Sequence, residues 1–176
     1  MPEYCLPIEN VADWNDLDSF VQGYIEALFF TETEPGTSRE DRMTTRGTVR
    51  QKWARAVEEG QHHDMPGDYG PSDLAPCALE RIKADCAAFQ MTAAWLAFAA
   101  WRDAGGDDSG TGEPADDEQA GRDLWFTRNG HGVGFWCRDA HHYGPHQDAL
   151  SSACGWRTAF GECDVYVGDD GKVYLS

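Results

Sequence analysis

The apolar residues between positions 17 and 29 recur with helical spacing. Leu17, Phe20, Val21, Tyr24, Ile25, Leu28 and Phe29 fall at i, i+3, i+4 and i+7 steps, which predicts a helix with one buried face. Asn15 or Asp16 can cap its start, and Asp18, Gln22 and Glu26 are placed on its outward face. A second helical stretch begins near Pro76, a residue suited to a first helical turn because its missing N–H is not needed there. Leu79, Ile82, Cys86, Phe89, Ala93, Leu96 and Ala100 continue its stripe, and Trp95, Phe98 and Trp101 widen it. One long core helix is predicted.

Beyond position 123 the period changes. The segment DLWFTRNGHGVGFWC alternates apolar and polar residues on both sides of NGHG, which predicts a β-hairpin. DALSSACGWRTAFG predicts a helix capped by Asp148 and ended by Gly161. CDVYVGDDGKVYLS predicts a second hairpin, with Val165, Val167, Val173 and Leu175 on one side. The predicted fold is therefore α+β, a single domain over residues 1–176. N-terminal helices would pack on a four-stranded antiparallel sheet whose C-terminal half runs hairpin, helix, hairpin.

Two segments interrupt this plan. Residues 35–70 read as an insertion with a basic helix carrying Arg39, Arg42, Arg46, Arg50, Lys52 and Arg55, followed by a Pro- and Gly-rich loop. Residues 103–123 hold eight acids and one base among Gly, Ser and Pro, and read as an acidic flexible loop.

Charge narrows the function classes. The 176 residues include 31 acidic and 14 basic side chains, a net charge of −17, so direct nucleic-acid binding is not expected: phosphates need a basic footprint. No apolar run reaches the roughly 18–20 residues that span a bilayer, so no membrane association is expected. MPEYCLPIEN lacks the basic start and apolar stretch of a signal peptide, which points to a cytoplasmic protein. Cys5, Cys77, Cys86, Cys137, Cys154 and Cys163 form no CxxC pair, and reduced structural thiols are expected.

Three separated pieces then carry a likeness. FVQGYIEALFFTE, LAPCALERIKADCAAF, and DLWFTRNGHGVGFWCRD through DVYVGDDGKVYLS resemble a family of small proteins of tailed bacteriophages and prophages. The most specific part is TRNGHG-x-GFW; at Cys137 the family pattern has an acid instead. The resemblance covers about two thirds of the chain and leaves the basic insertion and acidic loop outside it. It implies a phage context within a bacterial host cell, and no particular activity.

Candidate chemistry concentrates in the same segment. His131 at a Gly-rich turn can act as a general base, Arg128 can hold an anion, and Asn129 can orient either, with Asp123 close by in sequence. Turn geometry also selects Asn-Gly for backbone reasons alone. His131, His141, His142 and His146 with Cys137 supply metal-ligating atoms, but in no standard zinc spacing. No motif calls for a cofactor. The stronger feature is the acidic surplus. Asp13, Asp16, Asp18 and Glu26, with Asp107, Asp108, Asp116, Asp117 and Glu118, form a candidate binding surface in which carboxylates stand in for phosphates. The expected function is a non-enzymatic phage accessory protein that binds and inhibits a host nucleic-acid enzyme or defence complex. A small-molecule or catalytic site at Arg128, Asn129 and His131, and an apolar adaptor surface, are the alternatives.

Overall fold

The computed structural model describes residues 14–33, 65–67, 69–106, 112–155 and 157–176. The expected basic helix, Asp13, Asp107 and Asp108 lie outside the described residues. Helix α1 spans Ser19–Glu32. Its cap is Asp18, whose Oδ1 accepts a hydrogen bond from the Val21 N–H at 2.9 Å, rather than Asn15 or Asp16. Phe20, Val21, Tyr24, Ile25, Ala27, Leu28 and Phe29 are all buried, so α1 is covered on more than one side.

The expected long helix is two helices, α2 at Pro76–Gln90 and α3 at Ala93–Asp103. Thr92 makes the break. Its hydroxyl donates to the Phe89 carbonyl at 2.7 Å and accepts from the Trp95 N–H at 3.2 Å, capping α3. Six residues apart on a straight helix, Phe89 and Trp95 would point to different faces. The break brings their ring centroids to 6.1 Å, buries Trp95 and Phe98, and leaves Leu96 half exposed.

The largest correction concerns residues 117–137. Asp117–Arg128 is a helix, α4, where the acidic flexible loop and the first strand of a hairpin were expected. Asp116 caps it, accepting from the Gln119 N–H at 2.7 Å, and Asp117 and Glu118 in its first turn suit the helix dipole. Leu124, Trp125 and Phe126 are consecutive buried residues, which a helix enclosed on several sides accommodates and a half-exposed strand does not. NGHG is its C-terminal cap. The His131 N–H donates to the Phe126 carbonyl, the Gly130 N–H donates to the Thr127 carbonyl, and Gly130 takes φ +67°, a Schellman motif.

The four-stranded sheet is likewise absent from the described residues. They contain two strands, β1 at Val165–Val167 and β2 at Val173–Leu175, antiparallel with Val165 opposite Leu175 and Val167 opposite Val173. This second hairpin forms as its alternation predicts. It is tied to the helices at the Ala75 N–H, which donates to the Val173 carbonyl at 2.9 Å. Between α4 and β1 lie a 3₁₀ turn at Phe135–Cys137, the one-turn helix α5 at Ala140–Tyr143, a second 3₁₀ turn at Gly144–His146, and α6 at Gln147–Ala153. Helix α6 ends eight residues before Gly161, and Asp148 sits in its first turn without capping it.

The architecture is thus mostly helical, and its centre is the crossing of α1 and α4. Two glycines let the backbones meet. A Cβ on Gly121 would fall 1.9 Å from the Phe20 carbonyl oxygen, and one on Gly23 would fall 1.9 Å from that of Glu118. Around this crossing Phe20, Phe89, Trp95, Phe98, Phe135 and Tyr143 form a buried aromatic core, with Phe89 and Phe135 stacked at 5.7 Å.

Candidate functional site

Arg128, Asn129 and His131 are brought together at the end of α4, each in a different role. The Arg128 guanidinium is buried. It donates to the Tyr24 hydroxyl at 2.7 Å, the Asp85 carboxylate at 2.9 Å and the Gly161 carbonyl at 2.9 Å. Burial opposes its charge, but Tyr24 and Asp85 more than offset this, so the guanidinium holds its proton more firmly than usual. Asn129 Oδ1 accepts from the Cys163 N–H at 2.8 Å, and its amide donates to the Trp125 carbonyl. Both side chains join α4 to the segment preceding β1. Their hydrogen-bonding capacity is directed inward.

His131 differs. Its ring lies near Trp125 and Phe126, and Nε2 is buried without a hydrogen-bond partner among the described residues; Glu32 Oε1 is 3.8 Å away. Asp123 is fully buried and belongs to another network. Arg138 grips its carboxylate with Nε and an Nη at 2.5–3.0 Å, and the Tyr143 hydroxyl donates to it at 2.7 Å. Burial raises the Tyr143 phenol well above its ordinary pKa, and the Asp123 charge adds to this, so that hydroxyl stays a donor. Asp169 and Asp170 are exposed on the β1–β2 turn, where Asp170 accepts from the Lys172 N–H and the Tyr174 hydroxyl.

The acidic candidates fall into two groups. Asp18 and Asp116 cap helices, Asp117 accepts from Arg102 at 2.6 Å, and Asp16 is exposed. Glu26 of α1 and Glu118 of α4 converge on one guanidinium, Arg122, with Glu26 Oε2 at 2.7 Å. Helix crossing therefore joins acids from the two segments that the sequence separates by some ninety residues. An open groove of about 380 Å³ continues alongside, lined by Arg102, Gly105, Glu113, Pro114, Asp116 and Asp117.

Of the metal-ligating candidates, His141 and His142 lie together with Asp139, each offering an atom within 4.8 Å of the others. His131, His146 and Cys137 are not in this group; His146 lies beside the Trp101 ring at 5.9 Å. Asp139 is not among the residues that histidine clustering singles out, although DAHH places a carboxylate two residues before the paired imidazoles.

The thiols divide by burial. Cys86, Cys154 and Cys163 are buried, Cys77 and Cys137 exposed, and burial pushes the Cys154 thiol up to about 12 against a weaker opposing pull from Arg128. Of the five described thiols, a thiol reagent at pH 8 is expected to label Cys77 and Cys137 in seconds to minutes and the three buried ones only with unfolding; equal rates at these five, resolved by peptide mapping, would contradict the packing. The raised values also set a sign. Above about pH 9 the unfolded chain releases thiol protons that the folded chain retains, so stability falls as pH rises toward 12.

The chain matches no protein-family model, no curated protein and no solved structure. Among the described residues no helix is long and apolar enough to cross a membrane.

Proposed function

We propose that this protein is a non-enzymatic acidic binding module that occupies a basic, nucleic-acid-binding surface of a host nucleic-acid enzyme or defence complex. The reading sets it in the cytoplasm of a bacterial host cell and in a phage context, as the TRNGHG-x-GFW likeness implies.

One observation carries it: seven described cations are engaged by carboxylates or backbone carbonyls of the chain itself, while many carboxylates face solvent without such a cation. Arg102, Arg122, Arg128 and Arg138 each pair with a carboxylate, and Lys83 pairs with Glu80. Arg81 and Lys172 donate to the Leu175 and Ser72 carbonyls. Asp16, Glu113, Asp148, Glu162, Asp164 and Asp169 are exposed. Among the described residues, exposed carboxylates therefore outnumber exposed cations, in keeping with the −17 net charge of the sequence, and such a field steers a basic partner. The convergence of Glu26 and Glu118 supports one acidic face built from α1 and α4. Binding rather than catalysis is supported by Arg128 and Asn129, whose polar atoms already have partners within the fold.

The test is capture of partners on tagged protein from nuclease-treated bacterial lysate, eluted in salt steps and with duplex DNA as competitor. A nucleic-acid-handling protein released as salt rises from about 0.1 M to 1 M, where the screening length shrinks from about 10 Å to 3 Å, and displaced by DNA, is the expected result. A partner held through high salt and indifferent to DNA would overturn the reading in favour of an apolar adaptor surface.

A further inference from the structure

We propose that Asp139, His141 and His142 bind a divalent transition-metal cation of the zinc class, leaving one coordination position open. The three residues contribute one carboxylate oxygen and two imidazole nitrogens lying within 4.8 Å of one another. Two neutral imidazoles and a carboxylate make a donor set of intermediate softness, which suits Zn²⁺, Co²⁺ or Ni²⁺ rather than the all-oxygen cages of Ca²⁺ or Mg²⁺.

Two features separate this cluster from ordinary surface groups. His142 Nδ1 is buried and has no hydrogen-bond partner among the described residues. A nitrogen removed from water without a partner is disfavoured, and a cation bound through Nδ1 would supply one. Asp139 holds the cap position of α5, yet its side chain makes no cap hydrogen bond, in contrast to Asp18 and Asp116. Its carboxylate is therefore not committed to the helix end.

The backbone around the cluster is fixed from several sides. The His142 carbonyl accepts from the Ala115 N–H at 2.9 Å. Tyr143, the next residue, is buried and anchored to Asp123 at 2.7 Å. Gly112 packs so closely that a Cβ there would come within 2.6 Å of the His141 ring. The two imidazole centroids are 4.1 Å apart. A tetrahedral cation with ligands at 2.0–2.2 Å sets donors about 3.4 Å apart, so the three ligand atoms, now within 4.8 Å of one another, draw in toward the cation when it binds. Three protein ligands leave the fourth place for water or a further group.

Zinc chloride and cobalt chloride are the probes, applied to the full chain after chelator treatment. Calorimetric Zn²⁺ titration is expected to show one site that is lost in His141→Ala and in His142→Ala and weakened at least about tenfold in Asp139→Asn. Co²⁺ should give visible d–d bands of a low-coordinate site in the parent chain and in His146→Ala, but not in His141→Ala. Zn²⁺ should also raise the thermal midpoint of the parent chain and leave that of His141→Ala unchanged. His141 and Asp139 are not fully buried, so their variants remain informative if His142→Ala fails to fold. Undiminished binding in His141→Ala and Asp139→Asn, or no Zn²⁺ binding by the parent chain, would overturn the proposal.

Discussion

Gly121→Ala is expected to lower the thermal midpoint by roughly 6–12 °C, about 3 kcal/mol for a chain of this size. The new Cβ would sit 1.9 Å from the Phe20 carbonyl oxygen, which belongs to backbone and cannot rotate away. Helices α1 and α4 must then separate by about 1.5 Å to reach ordinary contact at 3.4 Å, loosening Phe20, Tyr24 and Trp125 together. Alanine's better helix propensity returns only about 1 kcal/mol, so the steric term wins. Gly23→Ala meets the Glu118 carbonyl in the same way and should behave alike. Gly130→Ala is the comparison: it has open space around it but φ +67°, and should cost about 1 kcal/mol. Thermal unfolding followed by circular dichroism measures all three. A Gly121→Ala midpoint equal to or above the parent's would mean that the two backbones do not touch.

Arg138→Met is the second large effect, expected to cost about 3–5 kcal/mol in urea unfolding. It leaves the Asp123 carboxylate, fully buried, with the Tyr143 hydroxyl and without its guanidinium. Asp123→Leu should cost less, because Arg138 is about a quarter exposed and regains water. The double variant Asp123→Leu/Arg138→Met should be more stable than the sum of the two single losses predicts, since neither charge is then stranded. Additive losses would show that the pair is not coupled.

Much of the helical content was legible in local signals. The apolar spacing of Phe20 through Phe29 located α1, Pro76 located the start of α2, and the Val-Tyr-Val and Val-Tyr-Leu runs around Asp-Asp-Gly located β1 and β2. The burial of Cys86 followed from its place on the apolar stripe that begins at Leu79. Residues 117–131 misled for a definable reason. Short apolar runs beside Asn-Gly fit a hairpin turn and a Schellman cap equally well, and only partners distant in sequence choose between them. Asp123 and Arg128 are charged residues that local pattern reading leaves on the outside, since a lone charge is rarely buried. Here Arg138, Tyr143, Tyr24 and Asp85 satisfy them, so they lie inside a helix packed on α1.

The candidate site divides along the same line. The acidic surplus and the clustering of histidines are properties of composition, and the sequence by itself determined them, together with the helix and turn signals that act over four or five residues. Tertiary structure decided which carboxylates share a face, which arginines turn inward, and that Asp139, not Cys137 or His146, stands beside His141 and His142. The physical reason is range. Capping, periodicity and turn geometry act between near neighbours, whereas burial of a charge and contact between two glycine-bearing helices depend on residues about a hundred positions apart.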